Sequence, residues 1–102
     1  MRYVRIVYTV RQEANLEEVK AAITAFVAAI AAHHPEHRYS SFQLIDNPRE
    51  FIHVGELVEE AVADFQSRPF FHSFSEYLHE HCENSPKAMS LTRVASTLPA
   101  NR

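Results

Sequence analysis

The sequence predicts an α+β domain whose elements run β-α-β-β-α-β. Three observations carry this. Two β-rich stretches bracket a long amphipathic helix at the start of the chain. Five prolines, at 35, 48, 69, 86 and 99, fall where regular elements should begin or end. The strand candidates stay partly apolar on both of their alternating faces.

Residues 3–10 are dense in Tyr, Val and Ile, which suits a pleated, half-buried strand. Asn15 opens the first helix as an N-cap, with Glu18 three residues on as in a capping box. Leu16, Val19, Ile23, Phe26, Val27 and Ile30 then recur at helical spacing. Glu17, Lys20, Ala21 and Thr24 supply the opposite face, and the helix ends near His33-His34-Pro35. Residues 38–46 and 51–58 flank the polar run Asn47-Pro48-Arg49-Glu50 and read as a hairpin. A helical stretch from about Glu59 to Ser67 follows. The helix restarts with Ser67 as expected cap and Pro69 in its first turn, and Phe70, Phe71, Phe74, Tyr77, Leu78 and His81 form its apolar face. Pro86 closes it, and residues 87–95 form the expected last strand, Met89 and Leu91 alternating with Ser90 and Thr92.

This order is the split βαβ, or ferredoxin-like, pattern: a four-stranded antiparallel sheet with its helices on one face. In the first strand Val4, Ile6, Tyr8 and Val10 form one alternating set, and Tyr3 and Val7 belong to the other. In the third, Ile52, Val54 and Val58 alternate with Phe51 and Leu57. A sheet apolar on both sides needs two covers, and the helices supply one. A second copy of the chain is the expected second cover, giving a homodimer through the sheet face.

The 102 residues fit one domain, expected over residues 1–96 with a loose tail at 97–102. Net charge is -3 with only 10 Lys and Arg, a poor footprint for nucleic acid. The one cysteine, Cys82, offers no internal disulfide and no cysteine zinc site. Arginines interrupt the N-terminal apolar run, so it does not read as a signal peptide, and the Ala-rich stretch within 21–32 is too short for a membrane span. A cytoplasmic protein with no membrane partner is expected.

Glu56, Val58, Glu60-Ala61, Phe65 and Arg68-Pro69-Phe70, taken with the element order, resemble the antibiotic biosynthesis monooxygenase family of dimeric α+β barrels over about residues 3–96. Glu56, Ala61 and Pro69 match the family's pattern. Val58 stands in place of an aromatic, often Trp, and Phe65 and Phe70 stand in place of histidines. Trp is absent, which sets aside the haem-degrading branch. The resemblance implies a cofactor-independent monooxygenase acting on a small aromatic, quinol-like compound. The alternative is a non-catalytic homodimer that binds a small apolar or aromatic molecule or serves as an accessory subunit.

Such an oxygenase needs a base, an apolar pocket and a few orienting groups. His53 lies mid-strand in Phe51-Ile52-His53-Val54-Gly55, where an apolar residue is expected, and Gly55 on the same face could leave room for a ligand. His72, with Glu76, His79 and Glu83, forms one helical stripe that reads more readily as a solvated face than as a metal site. His33, His34 and His37 read as exposed loop histidines. Glu56 can orient a substrate or pair with Arg93 or Arg5. The expected catalytic residues are therefore His53, His72 and Glu56, with Phe65, Phe70, Phe74, Tyr77 and Val58 as substrate-binding walls and neither metal nor cofactor. Tyr8, Tyr39 and Tyr77 are candidate hydrogen-bond donors to a quinone-like oxygen.

Overall fold

The computed structural model describes residues 1–98. Strand β1 (Arg2–Thr9) leads to helix α1 (Leu16–His33), then strands β2 (Arg38–Gln43) and β3 (Glu50–Leu57). A 3-10 turn (Glu59–Ala61), helices α2 (Val62–Ser67) and α3 (Pro69–His81), and strand β4 (Lys87–Leu91) complete it. The sheet order is β2-β3-β1-β4, antiparallel throughout, which is the ferredoxin-like topology.

Asn15 caps α1, its side chain accepting from the Glu18 backbone N–H at 3.1 Å. Val19, Ile23, Phe26 and Ile30 are buried against the sheet and α3, spaced by four, three and four residues. Each buried aliphatic or aromatic side chain contributes about 1.5–3 kcal/mol. Phe26 is the hub: its ring stacks on Phe74 with centroids 4.2 Å apart and meets the edge of Tyr39 at 5.6 Å.

Alternation assigns the two sheet faces. Val4, Ile6 and Tyr8 face the helices together with Phe51, His53, Gly55 and Leu57, while Arg5, Val7, Ile52, Val54 and Glu56 lie on the outer face. Outer-face Phe42, Val54 and Leu91 are exposed.

Strands β1 and β3 are each shifted by one residue from the expected 3–10 and 51–58, and three further boundaries differ from expectation. Strand β2 ends at Gln43 rather than 46, because the Leu44 N–H closes on the Glu50 carbonyl and Asn47 organises the turn, accepting from the Arg49 N–H through its side chain. Strand β4 ends at Leu91 rather than 95, because its partner Tyr3 is one residue from the start of β1 and the ladder has no further rungs. The cap of α3 is Arg68, not Ser67. The backbone before Pro69 is extended (φ -71, ψ 143), which stops α2, and the Ser67 hydroxyl donates instead to the Asp64 carbonyl at 2.7 Å. Of the tail expected at 97–102, residues 99–102 lie outside the described residues.

Among the described residues no helix is long and apolar enough to cross a membrane.

Candidate functional site

His53 is where the sheet turns polar beneath α3. Its side chain is 1% exposed, and both ring nitrogens are hydrogen-bonded to phenols: Nε2 with the Tyr8 hydroxyl at 2.7 Å, Nδ1 with the Tyr39 hydroxyl at 2.8 Å. The three residues come from β1, β3 and β2. His53 sits opposite Ile6 and Ser41, so each tyrosine is a diagonal neighbour two residues from the direct partner. Burial pushes the His53 pKa down to about 4 and raises those of Tyr8 and Tyr39, so all three are neutral near pH 7.

Gly55 makes the arrangement possible. A β carbon there would stand 3.1 Å from both Tyr39 Cδ2 and Val4 Cγ2. The space beside His53 is thus occupied by the Tyr39 ring, not left open for a ligand, and the ladder passes through Gly55 with no bulge.

The ligand-sized space lies on the other side of the imidazole. A cavity of about 190 Å³ between β1, β4 and α3 is walled by Ile6, Phe26, Phe71, Phe74, Leu78 and Ala88, with Tyr39 and His53 on its polar side and Ser75, His79 and Pro86 completing it. Phe74 stacks on His53 with centroids 5.8 Å apart. An apolar chamber with a few convergent polar groups is the usual form of a small-molecule site.

The other expected site residues are dispersed. Glu56 is on the outer face of the sheet, away from His53, and faces Arg93 at 3.7 Å, one of the two ion pairs the sequence allows. His72 is exposed on α3 and does not line the cavity. Phe70 and Tyr77 line a separate open cleft between α1 and α3, where Phe70 stacks on His33 at 5.5 Å and Tyr77 stacks on His81 at 4.0 Å. Phe65 is buried in the core, its face edged by the rings of His34 and His37. Val58 follows the end of β3 at the start of the 3-10 turn and donates its backbone N–H to His37 Nδ1 at 3.0 Å. Only His53 and Phe74 of the expected set share the cavity.

His34 and His37 are buried, 3% and 6% exposed, contrary to their expected place in a solvated loop. His34 Nε2 bonds Asp64 at 2.8 Å, and this bond, with Arg68 adding to it, holds the Asp64 carboxyl below its ordinary pKa. His37 is lowered by burial, as its Nδ1 bond to the Val58 N–H requires. Among the described residues no three His, Cys, Asp or Glu side chains converge as a metal site would need. Cys82 is buried, and burial pushes its thiol up to about 11.

No family model matches the chain, and no curated protein matches it. Solved structures do. The fold is similar to a crystal structure of an antibiotic biosynthesis monooxygenase, with a TM-score of 0.81 at 16% identity, covering 93% of this chain and 100% of that one. A variant of SnoaB, a cofactor-independent oxygenase from Streptomyces nogalater, aligns at TM-score 0.76 and 14% identity over 94% of this chain and 95% of that one. PA3566 from Pseudomonas aeruginosa aligns at TM-score 0.73 and 20% identity over 92% and 95%. The chain therefore has the ferredoxin-like fold of the antibiotic biosynthesis monooxygenases.

Proposed function

We propose that the protein is a cofactor-independent monooxygenase acting on a small aromatic, quinol-like compound. The observation that carries this is the apolar cavity beside His53, with the Tyr39–His53 pair as its polar wall. A fused phenol that has given its proton to solvent seats there as the anion, lies against Phe74 and Phe26, and sets its oxygen against the polar wall. This anion is electron-rich enough to reduce oxygen directly. In its ketone form the substrate presents a ring CH₂. That carbon becomes a carbonyl as one atom of O₂ enters the product and the other leaves as water. The substrate supplies all four electrons, so the reaction calls for no external reductant.

A second reading has its own support. Both nitrogens of His53 are already engaged, and burial makes the imidazole a weak base. A protein that binds such a molecule without turning it over fits those facts. Oxygen consumption separates the two. Incubation with a panel of naphthols, hydroquinones and anthrone-like compounds is expected to consume one O₂ per product, and less with His53→Ala. Binding across the panel with no uptake above that of heat-denatured protein would overturn the oxygenase in favour of the binder.

A homodimer through the outer sheet face is part of the same proposal. Phe42 is 55% exposed there on edge strand β2, Val54 lies diagonally next to it on β3, Leu91 is exposed on the opposite edge strand β4, and the helices among the described residues lie on the other side. A two-fold related copy is the cover whose apolar face matches by construction. Light scattering is expected to give twice the chain mass, and Val54→Lys, placing a charge at the centre of that face, to give the monomer. A monomeric wild-type protein would end this part of the proposal.

A further inference from the structure

A neutral imidazole carries one N–H and one bare lone pair, so of two phenols bonded to it one donates and the other accepts. The surroundings decide which. Tyr8 is 3% exposed and stacks on Phe51 with centroids 5.7 Å apart, and among the described residues its hydroxyl has no partner but His53 Nε2. If Tyr8 accepted a proton from Nε2, its own hydrogen would be stranded in apolar surroundings, which native structures avoid. Tyr8 must therefore donate to Nε2. His53 then carries its hydrogen on Nδ1 and donates it to the Tyr39 oxygen. This leaves the hydrogen of Tyr39 unclaimed, and Tyr39 is the half-buried one of the two tyrosines and lines the cavity.

We propose that Tyr8, His53 and Tyr39 form a one-way chain of hydrogen-bond donors that presents the Tyr39 hydroxyl to the cavity as the binding point for an oxyanion, a phenolate or enolate, on the ligand. The inference rests on the reading of the cavity as the binding site and gives that site its ligand chemistry. Each donor in the chain polarises the next, and the apolar walls keep water from competing. The hydroxyl is set before the ligand arrives, so charge forming on the ligand's oxygen meets a fixed dipole. The Gly55 clearance lets the Tyr39 ring cross β3 to reach both His53 and the cavity. In this arrangement Tyr39 touches the ligand, whereas His53 and Tyr8 are positioning residues that act through it. His53 is a relay and not the base.

Two measurements on the full chain test this, and neither reads oxygen consumption, the naphthol titration being run in the absence of oxygen. Heteronuclear NMR of the ligand-free protein reports the His53 tautomer. The hydrogen is expected on Nδ1, and finding it on Nε2 overturns the chain's direction. The second measurement follows the ionisation of bound 2-naphthol by absorbance across pH. The naphtholate is expected to bind at least tenfold tighter than the neutral form, and Tyr39→Phe to abolish the preference. Tyr8→Phe does not reach the ligand, yet it frees His53 to accept from Tyr39 and is expected to cut the preference at least threefold. An unchanged preference in a folded Tyr8→Phe protein would reduce Tyr8 to a packing residue and overturn the relay. Where that variant does not fold, the wild-type tautomer decides. A protein that prefers the naphtholate but consumes no oxygen keeps the donor chain and loses the monooxygenase.

Discussion

Lowering the pH from 7 to 5 should destabilise the protein through His53 by an amount its surroundings set. In the unfolded chain the imidazole takes up a proton near its ordinary value of 6.5, whereas in the native protein burial delays this to about 4. Between those values the unfolded state holds more protons, so stability falls as the pH falls, by about 1.4 kcal/mol per pH unit, and levels off below pH 4. At pH 5 the loss is about 2 kcal/mol. With a urea dependence of about 1–3 kcal/mol per molar, the midpoint should move down by about 1 M. His37, also lowered by burial, adds a loss of the same sign. The comparison is therefore with His53→Gln, which keeps a donor and an acceptor but does not titrate, while His37 is common to both proteins. Urea titrations at pH 7, 6 and 5 and one protein concentration give the two curves. They should diverge as the pH drops, the wild type losing more. Parallel curves would refute the claim that His53 is held neutral.

Three further outcomes follow from particular contacts. Gly55→Ala places a methyl 3.1 Å from Tyr39 and Val4. Its overpacking cost of about 1–3 kcal/mol outweighs the roughly 0.5–1 kcal/mol that alanine gains over glycine in the unfolded chain. A net loss in a urea titration is expected, together with a shifted His53 resonance as Tyr39 moves. Asn15→Ala removes the α1 cap and should cost about 1 kcal/mol by the same titration, with cavity binding unchanged. Cys82 should resist iodoacetamide in the native protein and react on unfolding, because it is buried and its thiol stays protonated at neutral pH; alkylation of the native protein at the rate of a free thiol would contradict its placement.

Much of the fold was legible in the residues themselves. The four-three-four spacing of Val19, Ile23, Phe26 and Ile30 and the cap at Asn15 are local signals, and local signals place α1. Pro35, Pro69 and Pro86 mark real ends of elements. The strand ends at Gln43 and Leu91 were not readable, because a strand stops where its partner stops, and pairing is not written locally. The site divides along the same line. His53 stood out as a histidine in an apolar alternation, and it lines the cavity. Alternation alone also sets His53 and Glu56 on opposite faces, a parity that the grouping of both as catalytic overlooked. Phe65, Phe70 and Phe74 looked like one wall, but they point into the core, the α1–α3 cleft and the cavity. The tyrosine partners of His53 depend on cross-strand register, which composition does not reveal. His34 and His37 looked solvated because they flank a proline, yet the Phe65 ring and the α2 carboxylate give them a buried home.

The diagonal from Tyr8 through His53 to Tyr39 crosses three adjacent strands, and this ties folding fidelity to the working site. A slip of one residue in either the β1–β3 or the β2–β3 pairing turns a tyrosine to the opposite face of the sheet and leaves the imidazole short of a partner in an apolar interior. Mispaired sheets are thereby penalised by the groups that shape the cavity. Changes that relax the polar diagonal would loosen the proofreading of strand alignment as well as ligand recognition, so the two properties cannot drift independently.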